Sequence, residues 1–153
     1  MGVYRLMPAP GTAPYARRLD RRRLWTGGAW TALACAVVAA AAFLTVREIL
    51  DLPILGVIVY GGVIEPHLFV YALGGVAAAF AATALMLLLL RGSARPFPYF
   101  RWIVGLCLAL VAMMPVFAAG DAATGLATAA ANVIVGLTAW AGVVLAARAA
   151  VRE

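Results

Sequence analysis

Acidic side chains are scarce in this sequence, and half of them lie in one short stretch, REILDLPILGVIVYGGVIEPH, between two apolar segments. The same stretch holds the only histidine. Carboxylates and an imidazole that lie close together can bind a cation or carry protons. The candidate polar cluster comprises Arg47, Glu48, Asp51, Glu65, His67 and Asp121, which comes from a later loop. The alternative, which we favour, is a solvated polar cap at the outer ends of helices.

The spacing of the first charged residues predicts how they are arranged. If the helix before them continues to about Leu50, Arg47 and Asp51 lie one turn apart and can form an ion pair, because residues four apart face each other on a helix. Glu48 then lies on another face, where Glu65, His67 and Asp121 are its expected neighbours.

Motifs for other kinds of chemistry are missing from the sequence. A single histidine excludes haem ligation by two histidines of one chain, and H-E-x-x-H, G-x-S-x-G and the phosphate-binding G-x-x-x-x-G-K-[ST] do not occur. The two cysteines, Cys35 and Cys107, do not form a C-x-x-C motif, and their predicted depths in the membrane differ, so no disulfide is expected. We therefore predict neither an enzyme nor a bound cofactor.

The elements that position these residues follow from composition. The chain is 66% hydrophobic and 12% charged, with a mean hydropathy of +1.02, whereas an average soluble domain is about 45–50% apolar. A backbone in hydrocarbon must satisfy its own hydrogen bonds, and about 20 helical residues cross the bilayer. The sequence thus predicts an all-α integral membrane four-helix bundle. Its spans are expected at about residues 24–50, 67–90, 102–119 and 126–147, with an extracellular loop at 51–66.

One further apolar run, residues 52–64, is too short to span the membrane as a helix. It is rich in β-branched residues and contains three glycines, which is typical of a hairpin. A loop at the membrane interface and a re-entrant segment are the alternatives.

The distribution of arginine predicts the orientation. All twelve basic residues are arginine, and eleven precede the first span, lie between spans two and three, or follow span four. Only Arg47 is on the opposite side. Because positive loops stay in the cytoplasm, we predict a multi-pass plasma-membrane protein with both termini cytoplasmic. Residues 1–23 are predicted to be a disordered basic tail, and residues 149–153 a second tail. The pI of about 10.2 is therefore not taken to indicate nucleic-acid binding.

Helices in lipid associate through small residues and buried polar groups, and the spans supply both. The small-residue stripes are Gly28, Ala32, Ala36 and Ala40 in span one, Gly74, Ala78 and Ala82 beside Gly75 and Ala79 in span two, and Gly105 and Ala109 in span three. Each is a predicted packing stripe, although a chain this rich in alanine also produces such spacings by chance.

Span four carries the most informative polar residue. Thr128, Asn132 and Gly136 share one face, and the amide of Asn132 needs a partner in lipid. We expect a bond to a neighbouring helix, with the carbonyl of Val111 as a candidate because Pro115 removes its donor. The alternative is that Asn132 lines a polar path.

Several local patterns resemble those of a family of small four-span membrane proteins of actinobacteria, whose function is unknown. The resemblance covers about residues 24–148 and rests on RLW with a glycine- and alanine-rich first helix, the segment DLPIL, the loop RPFPYFRWIVGL and the segment MMPVF. It implies an actinobacterial plasma membrane and no activity.

Two functional hypotheses follow from these patterns. The first is a structural or accessory subunit that packs through small-residue helix faces in the lipid bilayer, as a homo-oligomer or with a membrane-protein partner. The second is a small proton- or cation-coupled transporter or channel that uses Glu48, with the other acids near its outer mouth.

Overall fold

Four long apolar helices make up most of the part of the chain that the structure describes. The structure is a computed structural model, and it describes residues 20–54, 58–59, 62–63 and 67–151. Its elements are α1 (Arg21–Leu44), a π-helical turn (Thr45–Ile49), β1 (Ile58–Val59), β2 (Gly62–Val63), α2 (Leu68–Gly92), α3 (Pro96–Ala118) and α4 (Ala122–Val151). Each of the four helices is long and apolar enough to cross a membrane. The helical architecture is the one predicted, and it is compatible with an integral membrane protein.

Three helices begin earlier than predicted: α1 at Arg21, α3 at Pro96 and α4 at Ala122. Asp20 precedes α1, and its carboxylate accepts hydrogen bonds from the backbone N–H groups of Arg22 at 2.9 Å and Arg23 at 3.3 Å. This is the usual way for an aspartate to start a helix, so Arg21–Arg23 belong to α1 and not to a disordered tail. Likewise, α3 begins at Pro96, where proline is favoured because its missing N–H would be unpaired anyway.

The end of α1 is wider than an α-helix. The N–H of Leu50 donates to the carbonyl of Thr45 at 3.2 Å, five residues back, and the N–H of Leu52 donates to Val46 at 3.1 Å. Asp51 then adopts the left-handed conformation with φ 51°, which aspartate tolerates better than most residues. The chain turns there, and Ile54 is buried against the end of α1.

The short apolar run contains a hairpin. In the described residues, β1 pairs antiparallel with β2, with Ile58 opposite Val63 and Val59 opposite Gly62. This is the hairpin alternative for residues 52–64.

The helices run alternately up and down, so the beginnings of α1 and α3 meet the ends of α2 and α4. The N–H of Asp20 donates to the carbonyl of Ala150 at 3.3 Å. A buried cluster with residues from all four helices fills this end: Leu24, Met86, Leu90, Phe100, Val143, Ala147 and Ala150. We call this end of the bundle the arginine end, because the described arginines other than Arg47 lie there. We call the opposite end the acidic end. Two further clusters continue the core towards the acidic end, and their buried residues come from outside α3.

Glycine allows the closest helix approaches. A Cβ added at Gly28 would lie 2.8 Å from the side chain of Thr83, and one at Gly75 would lie 3.2 Å from the carbonyl oxygen of Cys35. Both positions are at the contact between α1 and α2, as two of the predicted stripes require.

Other predicted stripe positions are open to the surroundings in the part of the chain that the structure describes. Gly74 and Gly105 have nothing within 4 Å of an added Cβ, and Ala78 and Ala109 are exposed. The seam on α2 is instead formed by Gly75, Ala79, Thr83, Met86 and Leu90. Within the described bundle, Gly74, Ala78, Gly105 and Ala109 are open, contrary to the prediction, whereas Ala82 of the same α2 stripe packs against the buried cluster.

Candidate functional site

The polar residues predicted as a cluster lie at the acidic end and are open to the surroundings. The described members, all exposed, are Arg47, Glu48, Asp51, His67 and Asp121; Glu65 lies outside the described residues. No group of three or more histidine, cysteine, aspartate or glutamate side chains suited to a metal ion occurs in the described part of the chain. The structure thus places the described members at one end, all exposed and without a metal-binding group among them.

The predicted ion pair between Arg47 and Asp51 is wrong. Both residues are described, and no ion pair joins them, because the helix widens into a π-turn before Asp51 and the chain then reverses in the left-handed conformation. Arg47 instead places its guanidinium carbon 5.9 Å from the centre of the Phe43 ring, a distance at which the ring face attracts a cation.

A line of contacts continues from Phe43 into the bundle. The ring of Phe43 lies 5.9 Å from that of Tyr71, tilted by 44°. The hydroxyl of Tyr71 then donates a hydrogen bond to Oδ1 of Asn132 at 2.8 Å. These contacts connect Phe43 and Arg47, at the end of α1, to Tyr71 of α2 and Asn132 of α4.

Asn132 has its partner on a neighbouring helix, but on α2 instead of α3. The bond that forms is to the hydroxyl of Tyr71 and not to the carbonyl of Val111. Thr128, one turn earlier on α4, is fully buried. Thr128 and Asn132 therefore both lie against packed structure, which is the arrangement expected of a structural contact in lipid.

Asp121 has a structural role at the start of α4. Its carboxylate accepts a hydrogen bond from the backbone N–H of Thr124 at 2.8 Å, as an N-cap residue does. The Thr124 hydroxyl and N–H both face the carboxylate and lower the pKa of Asp121. The N–H forms the hydrogen bond, whereas the hydroxyl is close to the carboxylate without hydrogen-bond geometry. Since the charged form is the one stabilised, this contribution to helix stability is lost as the pH falls through the lowered pKa.

Sequence reasoning missed Phe43 and Tyr71. A tyrosine inside an apolar run needs a hydrogen-bond partner, and Asn132 was the amide in need of one, so the pair could have been suggested. The spacing of Phe43 and Arg47, four residues apart, was a second usable signal.

Comparisons with protein-family models, curated proteins and solved structures find no match. The resemblance to the actinobacterial four-span family therefore stays a prediction. Function has to be inferred from the geometry of this chain.

The Tyr71–Asn132 bond leads to a testable expectation. Tyr71→Phe is expected to lower the free energy of unfolding by about 0.5–2 kcal/mol, the range of hydrogen bonds between membrane helices, because it leaves the amide unpaired. Reversible unfolding in mixed detergent micelles measures the change. Tyr99→Phe is the matched control, since Tyr99 is 55% exposed at the start of α3. Equal stability of the two variants would contradict the proposed contribution of the bond.

Proposed function

We propose that this chain is an integral plasma-membrane protein with both termini in the cytoplasm, and that it serves as a structural or accessory subunit. It associates through outward-facing small residues with a second copy or with another membrane protein. Support for the orientation comes from the charges of the described residues. The arginine end has seven described arginines and one described acid, Asp20, whereas the acidic end has one described arginine, Arg47. Positive charge marks the cytoplasmic side of a membrane protein.

The observation that carries the proposed association is the exposure of α3. Of its 23 residues, Pro96, Phe100 and Pro115 are buried, and α3 is the least buried of the four candidate spans. Gly105 and Ala109 lie one turn apart on its exposed surface. Glycine inside a helix costs about 1 kcal/mol relative to alanine, and its usual benefit in a membrane is the close approach of another helix. No helix of the described residues makes such an approach to Gly105.

The charge distribution gives less support to transport. Arginine, aspartate, glutamate and histidine side chains of the described residues lie at or near the helix ends, and Glu48 is exposed. Pumps and exchangers keep ionisable groups at mid-membrane. The transport hypothesis and the expected lack of enzymatic activity both stay predictions.

Cysteine cross-linking in native membranes tests the α3 interface. In a chain without Cys35 and Cys107, Ala109→Cys is expected to give a disulfide-linked dimer or a defined adduct on oxidation. The control retains the native Cys107 and lacks only Cys35. Cys107 is also exposed, but it lies about 200° around the helix from Ala109, so it should cross-link weakly.

Gly105→Leu and Gly74→Leu are expected to abolish the cross-link or the association, because a bulky side chain holds the helices apart. Gly120→Leu is the control, since Gly120 is equally open but lies in the turn between α3 and α4. Mass spectrometry of the protein purified in mild detergent distinguishes a homo-oligomer from a complex with a partner. Equal cross-linking at positions 107 and 109, or a monomer without a partner, would contradict the proposal.

A further inference from the structure

Each of the four helices has an arginine that is next in sequence to a residue of the buried cluster at the arginine end. The four are Arg23, Arg91, Arg101 and Arg148, which adjoin Leu24, Leu90, Phe100 and Ala147 respectively. We call them the arginine ring. Neighbouring residues in a helix differ in height by about 1.5 Å, so the four arginines lie close to the level of this single cluster.

Among the described residues, one acid lies near the four arginines of the ring, and it is paired with Arg23. All four arginines are exposed. The one described acid at this end is Asp20, which caps α1 and lies 3.6 Å from Nε of Arg23. Arg91, Arg101 and Arg148 form no ion pair with any residue that the structure describes. Arg21, Arg22 and Arg95 add further positive charge at the same end.

Aromatic side chains mark the same level. Trp102 follows Arg101 and is 74% exposed, and Trp25 lies two residues after Arg23 and is 43% exposed. Exposed tryptophan next to arginine is typical of the boundary between hydrocarbon and water. At that boundary long arginine side chains can extend to the headgroups while their stems stay on apolar surface.

We propose that the arginine ring is a binding surface for anionic phospholipid headgroups, which it selects over zwitterionic ones. Guanidinium binds phosphate through two parallel hydrogen bonds as well as by charge. A zwitterionic headgroup brings its own cation into this positive field, whereas an anionic one does not. The proposal shares membrane insertion with the proposed function but requires neither a second copy nor a partner protein.

Tryptophan quenching by brominated lipids tests this surface. A Trp30→Phe, Trp140→Phe background retains Trp25 and Trp102, and the protein is placed in phosphatidylcholine vesicles containing brominated phosphatidylglycerol or brominated phosphatidylcholine at equal fractions. The quenching is expected to show a preference of at least about fivefold for phosphatidylglycerol, the attraction that one basic residue supplies near a membrane surface. Arg47→Gln, at the other end of the bundle, should retain this preference.

Removal of the ring charge should remove the preference. In the variant R23Q/R91Q/R101Q/R148Q, checked for helicity and monodispersity, the two lipids should quench equally. On the unmodified ring, the preference should fall as chloride is raised, because salt screens exposed charges, and this measurement does not depend on the variant folding.

Four results would overturn the proposal: equal quenching by both lipids with the ring intact, a preference that survives in the glutamine variant, a preference independent of salt, or its loss in Arg47→Gln. Inorganic phosphate at the same ionic strength should reduce the preference more than chloride does, because it offers the guanidinium groups the same phosphate oxygens as the headgroup. A preference for phosphatidylglycerol in phosphate-free buffer assigns the ring to the lipid, whereas equal quenching there would reject it. A chain that fails to cross-link through Ala109→Cys but keeps the lipid preference would contradict the proposed function alone.

Discussion

Gly28→Ala is expected to lower the free energy of unfolding of the bundle by about 1–3 kcal/mol, the usual penalty for an extra methyl group in a packed core. The added Cβ would lie 2.8 Å from both Cγ2 and Oγ1 of Thr83, so α1 and α2 would have to separate. Thr83 is buried, and its hydroxyl donates to the carbonyl of Ala79 at 2.8 Å. Rotating this side chain away would therefore break a hydrogen bond.

A second substitution shows whether the collision with Thr83 is the cause. Thr83→Ala in the Gly28→Ala background leaves only a Cβ, at 3.3 Å from the new methyl group, and should restore most of the stability. Reversible unfolding in mixed micelles of the four proteins of the cycle gives the coupling directly. Gly74→Ala is the matched control because nothing lies within 4 Å of its added Cβ. A loss in Gly74→Ala equal to that in Gly28→Ala would contradict the assignment of the α2 faces.

Hydropathy predicted the four helices but could not predict which faces pack together. In a soluble helix the apolar stripe identifies the buried face, whereas in lipid both faces are apolar. Gly74 and Gly75 illustrate the difficulty: the two glycines are adjacent in the same run, yet Gly74 is open and Gly75 touches α1. Only the packing of α2 against α1 separates them, and no local sequence pattern contains that information.

The candidate site was predictable to a similar extent. The described members of the polar cluster lie at or near helix ends, as expected of charges that avoid hydrocarbon. Their pairing was not predictable, since the rule that residues four apart face each other assumes an α-helix, and the turn at Thr45–Ile49 is a π-helix. The partner of Asn132 was also beyond a local pattern, because Tyr71 lies 61 residues away.

Phe100→Ala is expected to be as damaging as any single truncation in the bundle. Phe100 is fully buried and is the largest side chain of the cluster in which all four helices meet. In aqueous cores the same change costs about 3–5 kcal/mol, as lost transfer from water plus a cavity. Separated helices in lipid still cover Phe100 with hydrocarbon, so the transfer part largely disappears.

What remains is the loss of close packing between four helices, and we expect a decrease of about 2–3 kcal/mol in the free energy of unfolding. Unfolding in mixed micelles measures the decrease. Phe117→Ala is the matched control, because Phe117 lies on the same helix and is 78% exposed; lipid solvates it in both states, so its truncation should have little effect. Equal losses at the two positions would mean that α3 does not bury the face containing Phe100. A loss at Phe117 alone would instead show that the exposed side of α3 is covered by another helix in the membrane, as the proposed association requires.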